Sequence, residues 1–278
     1  MHWKTDKMRV GFCTGFATEP LFTIDEAMEA EVAKWGFDYI EYPLMSIAAL
    51  SEEKFSQLTE RVKKNNLGCD CVCNLFPASV KVIGKEADEK MIRSYLERAF
   101  ERAKRLGVKK IIFGSAGARR RGAEAKKEAD RQFTACLKII DEYCERYEMT
   151  VLIEAIRRGE ADYINTLQEG AEAVLRAEEA GCKNIALMAD LFHMQSNGEA
   201  VEDLERYISR IRHIHVCEQM RQLPEGQFSE YLRNAFEILQ KNGYHMTVSY
   251  ESVCPKNEEE GVSACINLKN LFMNPQQV

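Results

Sequence analysis

The chain has no surplus of positive charge. Its 278 residues include 44 Asp and Glu against 38 Lys and Arg, for a formal net charge of -6 and a pI near 5.6. Phosphate backbones are held by clustered Lys and Arg, so no nucleic-acid partner is expected and a small polar metabolite fits better. Long hydrophobic runs are also missing. No stretch approaches the roughly 20 apolar residues of a membrane span, and the opening Met1-His2-Trp3-Lys4-Thr5-Asp6-Lys7 carries no secretory core. The expectation is a cytoplasmic protein with no membrane partner. A glycine fingerprint for a dinucleotide is lacking too: Gly11-Phe12-Cys13-Thr14-Gly15 does not supply it, and Gly114-Ser115-Ala116-Gly117 is only a glycine-containing loop, which discounts nucleotide cofactors. Histidine is scarce, with five in all and none between His2 and His193, so no site can draw several imidazoles from the first half of the chain.

What is present is enough for a large core. Apolar residues make up 45% of a chain whose length suits an α/β barrel of about 250 residues, and the expectation is one domain over residues 1–278. Ten cysteines in a chain of this size without an export signal read as reduced thiols rather than a disulfide framework. Cys69, Cys71 and Cys73 alternate in one strand-like run and are expected to share a face. At strand rise the three thiols span about 13 Å, too far for one tetrahedral zinc, and they read as small buried hydrophobes.

Short apolar runs alternate with longer amphipathic ones. Strands are expected at 9–13, 39–42, 69–75, 110–113, 151–153, 185–189, 211–214 and 246–250, and helices at 24–35, 52–65, 86–106, 123–147, 166–180 and 229–242. Gly107, Gly181 and Gly243 each follow a helical run just before a strand, the place of a left-handed C-cap, while Thr23 and Ser51 stand where N-caps belong. Eight strand-helix repeats without a linker predict a single (β/α)8 TIM barrel, whose chemistry sits at the C-terminal ends of the strands.

Four metal-seeking side chains stand at such ends in consecutive units: Glu154, Asp190, His215 and Glu251, spaced by 36, 25 and 36 residues. If the strands are neighbours in one barrel, the four converge on one divalent cation, and three oxygen donors with one nitrogen suit Mn, Co, Zn or Mg rather than copper or iron-sulfur chemistry. A carboxylate can bind metal through one oxygen and accept a proton through the other. Glu154 and Glu251 approach from different strands, and two bases on opposite faces of one carbon are what an epimerase needs. Glu160, His193 and Arg221 follow their strands by a few residues and are placed to line the pocket mouth; taken singly, Glu160 reads as a solvated acid and Arg221 as a surface salt bridge.

These segments resemble the ketose 3-epimerases that act on tagatose and psicose, within the xylose-isomerase-like TIM barrels of sugar phosphate isomerases and epimerases. The resemblance is carried by residues 152–166 around Glu154, by Asp190-Leu191-Phe192-His193-Met194, by His213-Ile214-His215-Val216-Cys217-Glu218-Gln219-Met220-Arg221 and by Tyr250-Glu251-Ser252. It implies that Glu154, Asp190, His215 and Glu251 hold one divalent cation, commonly Mn or Co, and that Glu154 and Glu251 form the acid/base pair. Glu160, His193 and Arg221 are then the substrate-binding residues. The implied reaction is C3 epimerisation of a ketose through a metal-stabilised enediolate. Departures lie beside the substrate: Ala155-Ile156-Arg157 stands where the epimerases usually read Pro-Leu-Asn, and Gln195-Ser196-Asn197-Gly198-Glu199 follows Met194 in place of Asn-Ile-Glu-Glu. Arg119-Arg120-Arg121 and Arg157-Arg158 read as solvated loop charge paired with nearby acids, the alternative being a phosphate or carboxylate on the substrate.

Other readings of the same barrel stay open: a metal-dependent lyase, either an inosose dehydratase or a C-glycoside-cleaving subunit, and an aldose-ketose isomerase such as hydroxypyruvate isomerase. A zinc-cluster nuclease of the endonuclease-IV type is disfavoured by the missing early histidines and the acidic charge. A non-catalytic binder would be expected to have lost at least one of the four donors, and all are present. Barrels of this sort often form homo-oligomers, although no stripe in the sequence marks the face. Trp35 reads as core, His213 as a partner of His215 or a barrel-interior residue, and Phe12, Phe76 and Phe113 as apolar walls or core. His2 and His245 read as bystanders.

Overall fold

Alternating burial on the strands separates two layers of side chains, and that separation builds the site. A computed structural model describes residues 8–275; His2 lies outside them. Eight strands, β1 (Arg9–Cys13), β2 (Tyr39–Pro43), β3 (Cys71–Cys73), β4 (Lys110–Phe113), β5 (Thr150–Ile153), β6 (Ile185–Asp190), β7 (Ile211–Val216) and β8 (Thr247–Tyr250), pair in chain order, all parallel, and β8 closes on β1. This is a (β/α)8 TIM barrel. The helices are α1 (Met28–Trp35), α2 (Leu44–Ala49), α3 (Glu52–Lys64), α4 (Glu89–Arg105), α5 (Lys126–Tyr147), α6 (Leu167–Glu179), α7 (Leu191–Ser196), α8 (Asp203–Tyr207), α9 (Glu230–Lys241) and α10 (Glu258–Met273).

Outward residues such as Val10, Phe12, Ile40, Val72, Ile111, Val151, Ile214 and Val248 meet the apolar faces of the helices in one large core. Inward residues form a separate, smaller cluster of Cys13, Tyr39, Cys71, Cys73, Ile112, Leu152 and Met188. The period of two puts Glu41, His213, His215, Thr247 and Ser249 on the same inner side, so the barrel's filling is unusually polar. Gly11 makes this possible, since a Cβ there would lie 2.1 Å from the Tyr39 ring that occupies the interior.

The helix ends follow local chemistry. Ser51 and Asp88 accept hydrogen bonds from the backbone N–H of Lys54 and Met91, Thr166 and Glu169 form a capping box, and Gly107, Gly181 and Gly243 take left-handed conformations after their helices. Thr23 caps nothing: α1 starts only at Met28, after Ala27. Strand β3 is shorter than the run 69–75, and Cys69 belongs to the outer core while Cys71 and Cys73 point inward, so the three thiols do not share a face. All ten cysteines are free, nine of them buried. Trp35 is core, packed edge-on against Phe12, and His245 is exposed on the far side of the β8 entry. Among the described residues no helix is long and apolar enough to cross a membrane.

Candidate functional site

Strand ends set the geometry. Asp190 and His215 are direct ladder partners across β6 and β7, His215 pairs with Ser249 on β8, and Glu154 and Glu251 follow the last paired residues of β5 and β8. One donor atom from each of Glu154, Asp190, His215 and Glu251 can be chosen so that all lie within 4.8 Å of one another, and all four residues are buried. Asp190 also caps α7: its Oδ1 accepts from the backbone N–H of Phe192 and His193 at 2.8 and 3.2 Å, which leaves Oδ2 facing the cluster. Gly114 leaves room for Glu154, since a Cβ there would meet Glu154 Oε2 at 2.0 Å.

His215 is held from behind. Its Nε2–H donates to Glu41 Oε1 at 2.9 Å, which leaves the other ring nitrogen as the free donor atom. That atom, Nδ1, is buried with no hydrogen-bond partner and lies 3.6 Å from Glu251 Oε2 and 3.9 Å from Glu154 Oε1. Three carboxylates around an orphaned imidazole nitrogen fit a divalent cation. Glu41 is itself fixed by Ser249 Oγ, which donates to Oε2 at 2.7 Å, and Ser249 contacts Tyr39 OH at 2.8 Å. His213 lies deeper in the barrel, with Nδ1 2.8 Å from Thr247 Oγ1 and Nε2 3.3 Å from Glu41 Oε2.

Arg221 is buried, not a surface ion pair. Its guanidinium is sandwiched between the rings of Phe16 and Phe192, 4.3 Å from each centroid, and donates to Glu251 Oε2 and, at 3.3 Å, to Asp190 Oδ2. Met220 and Arg221 both adopt left-handed backbone, which costs strain in non-glycine residues and turns the guanidinium inward. Arg221 Nη2 donates to His193 Nε2 at 3.2 Å. These groups form the floor of a 360 Å³ pocket whose walls include Phe16, Phe22, Phe76, Ile156 and Glu160. Of the three phenylalanines singled out in the sequence, only Phe76 reaches this pocket; Phe12 and Phe113 are core.

The charges are unequal. Burial, then the neighbouring Glu251, pushes the Glu154 carboxyl up to about 8. Burial acts on Glu251 in the same direction, but the Arg221 guanidinium and His215 outweigh it and hold the group well below the usual carboxylate range. Burial works against a charged His215, yet Glu41 and Glu251 carry its pKa well above the ordinary imidazole value. His193 is moved down by burial.

The loop arginines divide. Arg119 is fully buried rather than solvated, donates to the Phe113 carbonyl at 3.3 Å, and is lowered by desolvation to about 10. Arg120 and Arg158 are exposed, Arg121 donates to the Glu124 carbonyl, and Arg157 pairs with Glu160 at 2.6 Å while covering the Phe192 ring. Glu41 and Ser249 escaped the sequence reading, although a carboxylate in the apolar run of β2 was a visible signal. Ser249 carried none.

The sequence profile of the xylose isomerase-like TIM barrel family matches residues 30–268. The chain is similar to D-psicose 3-epimerase from Agrobacterium fabrum (strain C58), 24% identical over 211 residues that cover 70% of this chain and 68% of that protein. Among solved structures it resembles a D-psicose 3-epimerase with D-tagatose from Clostridium cellulolyticum H10, with a TM-score of 0.80 at 18% identity, covering 95% of this chain and 99% of that one. A 3-keto-D-glucoside 4-epimerase from E. coli aligns with a TM-score of 0.76 at 17% identity, over 95% of this chain and 99% of that one. At these identities the structural likenesses show the shared barrel.

Proposed function

The chain belongs to the xylose isomerase-like TIM barrel family, and from that membership we propose that it is a divalent-metal-dependent sugar epimerase, acting at C3 of a ketose with Glu154 and Glu251 as its acid/base pair. The observation that carries this reading is the convergence of Glu154 and Glu251, from strands three apart in the barrel, on one orphaned imidazole nitrogen, with both carboxylates lining a small-molecule pocket.

Glu154, Asp190, His215 and Glu251 would hold the cation. When bound, it supplies positive charge beside the substrate carbonyl and so acidifies the neighbouring C–H. Everything else is done by the chain. Arg221 beside Glu251 favours its carboxylate form, the form able to take a proton from carbon, and Glu154, on the other side of the cluster, is its partner in returning one. In the reverse direction the two exchange roles. Arg221 offers N–H groups to substrate oxygens with His193 beside it in the pocket lining, the Arg157–Glu160 pair lies at the pocket edge, and Phe76 and Ile156 present apolar faces to the C–H side of a sugar. Mn is the cation we expect, with Co, Mg and Zn as alternatives of similar donor preference.

The test is proton exchange in deuterated water with a panel of free and phosphorylated ketoses, cation supplied. Deuterium at C3 with inversion supports the proposal; label at C1 or C2 marks aldose-ketose isomerisation, and release of water or an aglycone marks a lyase. If no ketose exchanges a carbon-bound proton, the proposal fails. Glu154→Gln and Glu251→Gln are each expected to stop turnover, and normal turnover in either removes that residue from the pair.

A further inference from the structure

Two thiols meet behind Glu251. Cys13 closes β1 and Cys73 closes β3; their Sγ atoms are 3.5 Å apart, and Cys13 Sγ lies 3.8 Å from Glu251 Oε1, the carboxylate oxygen that Arg221 does not use. Donor atoms of Cys13, Cys73 and Glu251 all fall within 4.8 Å of one another, and all three residues are buried. A tetrahedral d10 cation, with sulfur at about 2.3 Å and oxygen at about 2.0–2.2 Å, sets such donors roughly 3.5–3.8 Å apart along the edges of its tetrahedron. The Cys13–Cys73 and Cys13–Glu251 spacings, 3.5 and 3.8 Å, fall at those edges, and the Cys73–Glu251 spacing is within 4.8 Å.

Two simpler accounts fit less well. A disulfide needs Cα atoms within about 7 Å, whereas β2 lies between β1 and β3 and strands pack about 4.8 Å apart, so the two backbones stand too far apart without movement. Apolar packing would be served by any small side chain; the thiols are instead joined by weak hydrogen bonds, one to the other and one from Cys13 to Glu251 Oε1, which an ion would replace.

We propose that Cys13, Cys73 and Glu251 form a second cation site, selective for a thiophilic divalent ion such as Zn2+ or Cd2+, that shares Glu251 with the four-donor cluster. Binding displaces the two thiol protons to solvent and leaves two thiolates and one carboxylate on the ion. Hard ions such as Mn2+ and Mg2+ do not compete for sulfur. A soft ion in this position ties down the carboxylate that the proposed chemistry needs free, so it inhibits without displacing the first cation. The site rests on where the fold puts Glu251 and does not require the substrate to be a ketose.

The test is a titration of the Mn2+-saturated protein with Cd2+, in a Cys254→Ser background that removes the one exposed thiol. The four-donor cluster contains no sulfur, so cadmium replacing manganese there gives no thiolate-to-metal charge-transfer absorption. The expected result is a charge-transfer band that saturates at one ion per chain with release of two protons, and that disappears in Cys13→Ser and in Cys73→Ser while Mn2+ affinity is unchanged. Cadmium NMR of the protein with both thiols intact reads the sulfur ligation directly, so the outcome does not depend on the variants folding. No band in the Mn2+-loaded protein, or a band that survives in the double variant, overturns the proposal. Failure to bind Mn2+ while the band still forms would instead sink the four-donor reading and leave the thiol site standing.

Discussion

Glu41 controls His215 by controlling its proton. With Nε2–H committed to a fully buried carboxylate, the imidazole has one orientation and one free nitrogen, and Ser249 keeps Glu41 from turning away. Supporting partners of this kind typically change metal affinity by about 10–100-fold. Glu41→Gln is expected to weaken Mn2+ binding by an amount in that range, read by calorimetry on the apoprotein, with fold and pocket unchanged; an unaltered affinity would remove Glu41 from this role. Gly114 acts by what it lacks. In Gly114→Ala the new methyl falls on Glu154 Oε2, and because a misplacement of about 1 Å can cost on the order of 100-fold in rate, turnover should drop by about that factor while thermal stability changes little. Comparing kcat with the melting temperature of the same preparation separates the two.

At the scale of elements, the loop after β6 is tied to the start of α6 by a carboxylate in an unfavourable place. Glu199 Oε2 accepts from the backbone N–H of Leu167 at 2.8 Å, while its other oxygen is buried without a partner. Burial raises its pKa from 4.5 to about 7. A group whose folded pKa lies above the unfolded value contributes stability that is fully present below the unfolded pKa, here 4.5, and is lost as pH rises through about 7. Glu199 is partly exposed, so screening reduces the effect. Glu199→Gln should therefore match the parent in urea unfolding near pH 4.5 and exceed it at pH 8 by on the order of 1 kcal/mol; an equal difference at both pH values would show that the charge is not the cause. The long helices were readable because amphipathic spacing and caps repeat over several turns. The six-residue helices α2 and α7 show too few turns for a period, and α1 starts later than its apolar spacing suggests because no cap stands at Thr23.

For the whole molecule, closure of β8 on β1 is the decisive event. It brings the first third of the chain, with Cys13, Tyr39 and Glu41, underneath donors from the last half. A cation bound only by the folded barrel stabilises it by mass action, by about 2.7 kcal/mol at a hundredfold excess over Kd. Adding Mn2+ to the apoprotein should raise the melting temperature by several degrees, chelator should reverse the shift, and Glu251→Gln should shrink it. A melting curve indifferent to all four candidate ions would argue against a bound metal.

The alternation of apolar runs with amphipathic ones, and the polar residue that ends each of four strands, were enough to specify a (β/α)8 barrel and to nominate Glu154, Asp190, His215 and Glu251. Both are local facts, because strand period and strand-end position are read within a few residues. What lies behind those four depends on contacts between distant segments. Glu41 meets His215 across 174 positions and Cys13 meets Glu251 across 238, and no spacing rule connects them. Burial of Arg119 and Arg221 was likewise hidden, since an arginine in a loop looks the same in sequence whether the loop folds over it or leaves it in water. Only the closed barrel decides which charges lose their solvent, and with it which of them set the proton affinities at the site.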